Sequence, residues 1–430
     1  MKGIAALAFL LLSTGILLLG HGMQLTLLPL RAGANGMPEF LIAISASCYF
    51  LGFVLGCIAI PRVIARAGHI RSFAVLAAVM ISAILSLEML DHWVVWLLLR
   101  LVTGVAISGL YGVIESWLNS EVTTDSRGQV LAIYTFITLA AMAGGQVLIN
   151  VGPVEAATPF SLAAICIALA IVPVGMTRRL APAPPESTRI RFRLLYQRSH
   201  SAFSGAVLSG IVAGSFWSLG ALFASSYSAA QSEVSLFMLA AILGGAIFQY
   251  PIGWLSDRFD RRRVLLYLSL ASTGGSLAVA LSAEQPWFLL AVVCFGASAT
   301  SLYSVALATA ADVSGEHEFV EIGTSVLLLH ALGGAVAPLA LGPLMSLFGP
   351  VALFWSFAVL CSAFSVVLYI LTRAPRAIAV GDQVPFEVAA PDAAPIGFDM
   401  DPRGAEQSTD EDEPSALDAT VDVARGRDDS

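Results

Sequence analysis

The sequence predicts an all-α integral membrane protein with twelve transmembrane helices in two pseudo-symmetric six-helix bundles. Three observations lead there. Of 430 residues, 57% are hydrophobic and only 12% charged, against about 45–50% and about 25% in soluble domains. The apolar residues fall in blocks of about 20, the length that crosses a hydrocarbon core of about 30 Å. Shifted by 192 residues, the sequence also matches itself in several places.

The spans are expected at 4–29, 39–61, 72–90, 93–118, 129–151, 159–177, 202–224, 234–256, 263–282, 286–311, 320–346 and 351–372. The first apolar run is longer than the usual h-region of about 7–15 residues in a signal peptide, so it reads as an uncleaved span. Twelve spans put both termini on one side. Lys2, Arg62, Arg66, Arg71, Arg127, the cluster from Arg178 to Arg198, Arg258, Arg261, Arg262, Arg263, Arg373 and Arg376 fall on that side. On the other side only Arg31 is basic. Basic loops stay cytoplasmic, so both termini are expected in the cytoplasm and the chain in a bacterial inner membrane.

The organisation is a first bundle over 1–177, a Pro- and Arg-rich cytoplasmic linker over 178–201, a second bundle over 202–372 and an acidic tail over 373–430. The repeat supports the two bundles. Arg66 lands on Arg258, Arg71 on Arg263, Leu110-Tyr111 on Leu302-Tyr303 and Val113 on Val305. "GGQVLINVGP" (144–153) matches "GGAVAPLALGP" (333–343) with one residue of slack. Duplicated transporters bind their solute near the midplane between the halves. The tail is polar and rich in Asp410, Glu411, Asp412 and Glu413. Such a segment cannot bury a core, so it is expected to be disordered and dispensable.

The net charge of −8 belongs to that tail, which holds 14 acidic residues against 5 arginines. The rest of the chain is nearly balanced and implies no nucleic-acid partner. Cys48, Cys57, Cys166, Cys294 and Cys361 all sit in apolar blocks without metal-ligand spacing. They read as small buried hydrophobes rather than as a disulfide framework or metal site. No phosphate-binding loop, catalytic carboxylate pair or cofactor motif appears, so no enzymatic activity and no cofactor is expected.

Ionisable groups inside a membrane mark functional positions or specific pairs. Arg100 lies about 10 Å into span 4 at 1.5 Å per residue. It faces either a cavity partner or, by snorkelling, the interface. Glu115 lies about 22 Å further along the same helix, near the basic side. Arg66 or Arg62 is expected to pair with it as a gate, and proton carriage is the alternative. His21 and Gln24 share a face of span 1, and Gln146 and Asn150 form an i,i+4 pair in span 5. Each reads as cavity lining or as interhelical hydrogen bonding. Trp217, Gln249, Tyr303 and His330 are second-half candidates of the same kind.

"GWLSDRFDRRR" (253–263) joins span 8 to span 9. It resembles the loop motif Gly-x-x-x-Asp-Arg-x-Gly-Arg-Arg of the major facilitator superfamily. Gly253, Asp257, Arg258 and Arg261 or Arg262 match, and Asp260 replaces the motif's second glycine. The resemblance implies close helix packing at Gly253, a helix-capping role for Asp257 at the start of span 11, and a gating loop. The first-half copy keeps Arg66, Gly68 and Arg71, but Pro61 and Ala65 replace its glycine and aspartate. "RLVTG" (100–104) resembles the family's Arg-x-x-x-Gly element, tied in some members to proton coupling. "LYGVIESWLN", "FQYPIGWLSDRF" and "TSLYSVALATAAD" together are most similar to the YcaD-like bacterial branch.

These readings converge on a secondary active transporter of a small solute. It is expected to be a monomer in the lipid bilayer, proton-coupled, with export favoured slightly over import. The alternative is a non-transporting membrane receptor or scaffold on the same fold.

Overall fold

The computed structural model describes residues 2–121, 127–176, 189–282, 285–315, 318–373, 378, 381, 383–386 and 398. Among them are twelve helices long and apolar enough to cross a membrane, so the chain is a multi-pass membrane protein. In lipid every backbone N–H and C=O must be satisfied within the chain, and the helix does this segment by segment. The first six are α1 (Lys2–Ala34), α2 (Glu39–Ala67), α3 (His69–Met89), α4 (Trp93–Glu121), α5 (Arg127–Leu148) and α6 (Ala157–Gly175). A short α7 (Phe192–Arg198) precedes the second set. That set is α8 (His200–Tyr227), α9 (Gln231–Arg258), α10 (Arg261–Ser282), α11 (Phe288–Ala311), α12 (Phe319–Phe348) and α13 (Ala352–Thr372). Successive spans run antiparallel. One end of the molecule, here the linker end, carries α7 and the 258–261 turn. The other, the far end, carries the turns at 35–38 and 228–230.

The expected spans are recovered, most with longer ends, because helices continue past the hydrocarbon. Within the linker Phe192–Arg198 is helical, and Arg191 pairs with Glu321 at 2.6 Å. Residues 178–188 of that linker lie outside the described residues. The tail is expected to be disordered, but described residues within it dock on the helices. Val384 and Phe386 hydrogen-bond to the second set of helices, and Phe398 is buried against it. Composition misses this because one short apolar stretch is averaged into an acidic whole. The acidic run Asp410–Glu413 lies outside the described residues.

Close helix contacts carry the repeat. A Cβ on Gly104 would overlap the carbonyl oxygen of Tyr49, and one on Gly52 that of Leu101, so α2 and α4 touch backbone to backbone. Adding 192 to each number gives the second set's contact: Gly296 against the carbonyl of Ala241, and Gly244 against that of Val293. The absence of a side chain is what permits such approach between membrane helices. Gly22 packs on Gly145 between α1 and α5, and Gly214 on Gly334 between α8 and α12.

The two sets meet chiefly through α2 with α12, α5 with α9 and α1 with α8. Among the described residues, the hydrogen bonds that join them lie at the far end. Ser346 donates to Glu39 at 2.9 Å, and Asn150 Nδ2 donates to Ser235 Oγ at 2.8 Å. Gln231 Nε2 donates to the carbonyls of Ile149 and Gly152. Nearer the middle, Leu25, Met142 and Ile242 form an apolar plug with Ala143 and Trp217. A pocket of about 750 Å³, lined by Gly33, Asn150 and Gln231 among others, opens on the far side of this seam.

Candidate functional site

Polar side chains buried in the first set of helices form two groups at different depths. In the first, the buried Arg100 guanidinium lies over the Tyr49 ring, 4.5 Å from its centroid. The Tyr49 hydroxyl is 3.3 Å from His21 Nε2. A cation over an aromatic face is stabilised by the ring quadrupole, more strongly when both are desolvated. Spans 4, 2 and 1 are thereby linked through a cation, a phenol and an imidazole. The Gly52–Leu101 and Gly104–Tyr49 contacts bring the α2 and α4 backbones close enough for this geometry.

In the second group, Glu115 has no exposed surface and its Oε1 accepts from the Tyr134 hydroxyl of α5 at 2.9 Å. One residue on, Ser116 Oγ is 2.8 Å from His69 Nε2 at the start of α3. The expected pairing with Arg62 or Arg66 is not the arrangement seen. Both arginines are exposed, and Arg62 donates back to the carbonyl of Ile58 in its own helix. Those side chains are exposed, while Glu115 is buried in the first set against Tyr134.

The remaining candidates are distributed. Gln24 is buried beside His21 but does not share its hydrogen bond. Gln146 ties α5 to α1, accepting from Thr26 at 2.6 Å and donating to the carbonyl of Gly22 at 2.8 Å. Asn150 turns instead to Ser235 across the seam, so the i,i+4 pair serves two different contacts. Gln146→Leu is expected to lower stability by about 1–2 kcal/mol, in the range of interhelical hydrogen bonds. Thermal unfolding in detergent would check this, with Thr26→Val adding little further loss.

In the second set His330 Nδ1 is 2.8 Å from Ser209 Oγ and its ring meets Tyr303 edge-on at 5.0 Å. Gln249 donates to Ser304 at 3.2 Å, and Trp217 belongs to the apolar plug. These residues are not brought together with Glu115 or Arg100 into one cluster.

The 253–263 segment builds a charged node at the linker end. Arg261, only 1% exposed, donates to Asp312 at 2.5 Å, to Asp257 at 2.9 Å and to the carbonyl of Ala308 at 3.0 Å. Asp260 accepts from the backbone N–H of Arg262 at 3.1 Å and pairs with its guanidinium at 3.0 Å. An acidic N-cap satisfies an otherwise orphan N–H of α10, which is what the residue does in place of glycine. Arg258 lies over Trp254, 4.1 Å from the ring centroid. The capping role expected of Asp257 at span 11 is replaced: its carboxylate accepts from Arg261 and from the backbone N–H of Phe386. The start of α12 is engaged instead by Arg191 and Arg198, which pair with Glu318 and Glu321.

Sequence reasoning missed Tyr49, Tyr134, His69, Ser209 and Asp312. Asp312 was within reach as the only charge closing span 10. The others are partners across helix interfaces, and no local pattern marks them.

The family model of the Major Facilitator Superfamily matches residues 202–395, which include the whole 253–263 node. The second half of the chain therefore resembles the Major Facilitator Superfamily in sequence. It is 27% identical over 369 residues to an uncharacterized MFS-type transporter of Enterobacter sp. (strain 638), covering 85% of this chain and 95% of that one. It is 28% identical over 334 residues to the uncharacterized MFS-type transporter YcaD of Escherichia fergusonii, covering 76% and 86%. The YcaD-like branch named from the sequence is thus the one its relatives represent. Among solved structures, the nucleoside transporter NupG superposes with a TM-score of 0.72 at 11% identity, covering 86% of this chain and all of that one. A bacterial homolog of the human lysosomal transporter Spinster, inward-facing and occupied, gives 0.71 at 14% identity over 89% and 98%. At such identities these two show the shared fold.

Proposed function

We propose that this protein is a secondary transporter of a small solute, of the major facilitator type, working by alternating access. The observation that carries this reading is the seam: among the described residues, the hydrogen bonds and apolar plug between the two sets of helices lie from mid-helix to the far end. Two packed bodies joined at one end can exchange that contact for an equivalent one at the other by rocking around a fixed site. The arginine distribution supports a cytoplasmic linker end, which makes the conformation inward-open. A reporter fused at Arg191 should read as cytoplasmic, and a periplasmic reading would reject the orientation.

Coupling to protons is the reading we favour, with Glu115 as the carrier. A buried carboxylate held by a phenol hydroxyl accepts and releases a proton without a metal or nucleotide. Arg100, some 22 Å away along α4 at 1.5 Å per residue, would instead orient the solute or bias the equilibrium through Tyr49 and His21. The mostly apolar interior suits a lipophilic or weakly polar solute, with export slightly ahead of import. The test is a solute panel screened by thermal shift, since a bound ligand stabilises by mass action. Hits then go to proteoliposomes carrying an internal pH dye. Wild-type protein should couple solute flux to proton movement. Glu115→Gln should stop gradient-driven flux and leave solute exchange intact. Coupled flux preserved in Glu115→Gln would remove Glu115 from the role.

A further inference from the structure

We propose that the linker-end face of α9 and α12 is a peptide-binding site, and that its occupant is the chain's own C-terminal segment. The contacts at 383–386 are of the kind that recognise an extended backbone. The Val384 N–H donates to Asp312 Oδ1 at 3.1 Å, and the Val384 carbonyl accepts from Arg261. Two residues on, the Phe386 N–H donates to Asp257 Oδ1 at 2.9 Å. Three charged side chains that already form one node therefore also read three peptide groups. Two aromatic anchors accompany them. The Phe386 ring covers Gly253, where a Cβ would collide with it. Phe398, 4% exposed, covers Gly323 in the same way and meets Phe319 edge-on at 6.1 Å. Both glycines leave a flat depression that an aromatic ring fills.

The position of these anchors has a consequence for the transport cycle. The far-end seam uses Ser235 of α9 and Gly334 of α12, which touch Asn150 and Phe50 of the first set. Gly253 lies 18 residues beyond Ser235, about five turns, and so on the same face of α9. Gly323 lies 11 residues before Gly334, about three turns, again on the same face. Phe386 and Phe398 thus cover the continuation of the two surfaces that meet the first set at the far end. Closing the linker end requires α2 and α5 to reach those surfaces. While the segment is bound it is a wedge that holds this end open. Only this consequence rests on the alternating-access reading; the docking itself does not.

The experiment uses the full-length protein with Ser235→Cys, a buried seam position, as a far-end reporter, in the wild-type background and with Phe386→Ala/Phe398→Ala. Amide hydrogen exchange reads docking. Exchange at 383–386 should be slow in the parent and rise about ten-fold or more in the double variant, as expected when local structure is lost. Labelling of the Ser235→Cys thiol by a membrane-impermeant maleimide reads the seam, and should rise about three-fold or more as the population shifts. Phe386→Asp alone should act in the same direction and guards against a folding defect in the double variant. Fast exchange at 383–386 in the parent would overturn the docking. Faster exchange with unchanged labelling would overturn the wedge while leaving the transporter reading intact.

Discussion

Gly104→Val is expected to prevent the protein from folding stably, with a loss of about 3 kcal/mol or more, at or beyond the upper end of overpacking costs. The reason is what the new side chain would meet. A Cβ at Gly104 overlaps the carbonyl oxygen of Tyr49, and the neighbouring amide of Phe53 is also in the way. Backbone cannot swing aside as a side-chain tip can, so α2 and α4 must separate. Their separation also breaks the Gly52–Leu101 approach and pulls Tyr49 from beneath Arg100. The repeat makes a second prediction of the same size: Gly296→Val, at the equivalent contact with Ala241, should be as damaging. Gly274, which has open space around it, is the control. Gly274→Ala should be neutral or slightly stabilising, by up to about 1 kcal/mol from helix propensity. Size-exclusion profiles and thermal midpoints in one detergent would check all three.

Arg261→Met is expected to cost about 3–5 kcal/mol, the range for breaking a buried pair from one side. Its partner Asp312 is only 7% exposed and would lose the guanidinium that faces it, while still accepting from the Val384 N–H. Removing the charge on both sides with Arg261→Met/Asp312→Leu should cost less than Arg261→Met alone, because an apolar pair of similar volume needs no desolvation. The double-mutant cycle therefore has a predicted sign: strong coupling, with the second change partly restoring the first. Asp257, 42% exposed, stays hydrated in either variant and adds little. Additive losses on thermal unfolding would show that the node is held by something other than this pair.

The spans were legible because a bilayer leaves few alternatives: an apolar run of sufficient length is a helix that crosses. The duplication was legible from Tyr111 and Tyr303 and from the arginine loops. Its structural basis, the glycine contacts at 52 with 244 and 104 with 296, is a statement about helix pairs that appears only when the helices are assembled. Glu115 stands out in the sequence as a costly group, and Arg62 and Arg66 are the cations that its place near the loop suggests. The structure places a tyrosine 19 residues away against it. Position 307, its equivalent by the repeat, is a leucine, so the carboxylate belongs to the first half alone. Asp257 was read through the family motif as a helix cap. Its exposed edge instead accepts a backbone N–H from a segment that composition marks as polar tail. Phe386 and Phe398 were visible as apolar residues in that tail, but only the glycine depressions at 253 and 323 give them a destination.

Pulsed dipolar spectroscopy on two labelled pairs tests alternating access most directly. One pair is Arg62→Cys with Arg258→Cys at the linker end, and the other Ala34→Cys with Ala229→Cys at the far end; all four positions are exposed. Distances would be recorded in lipid nanodiscs at acidic and basic pH, with Phe386 and Phe398 intact and replaced by alanine. Two populations are predicted at each end, moving in opposite senses: as the linker-end distance shortens, the far-end distance lengthens by a matching fraction of molecules. A single unchanged distance at both ends under every condition, tail variants included, would contradict the account and describe a rigid membrane scaffold.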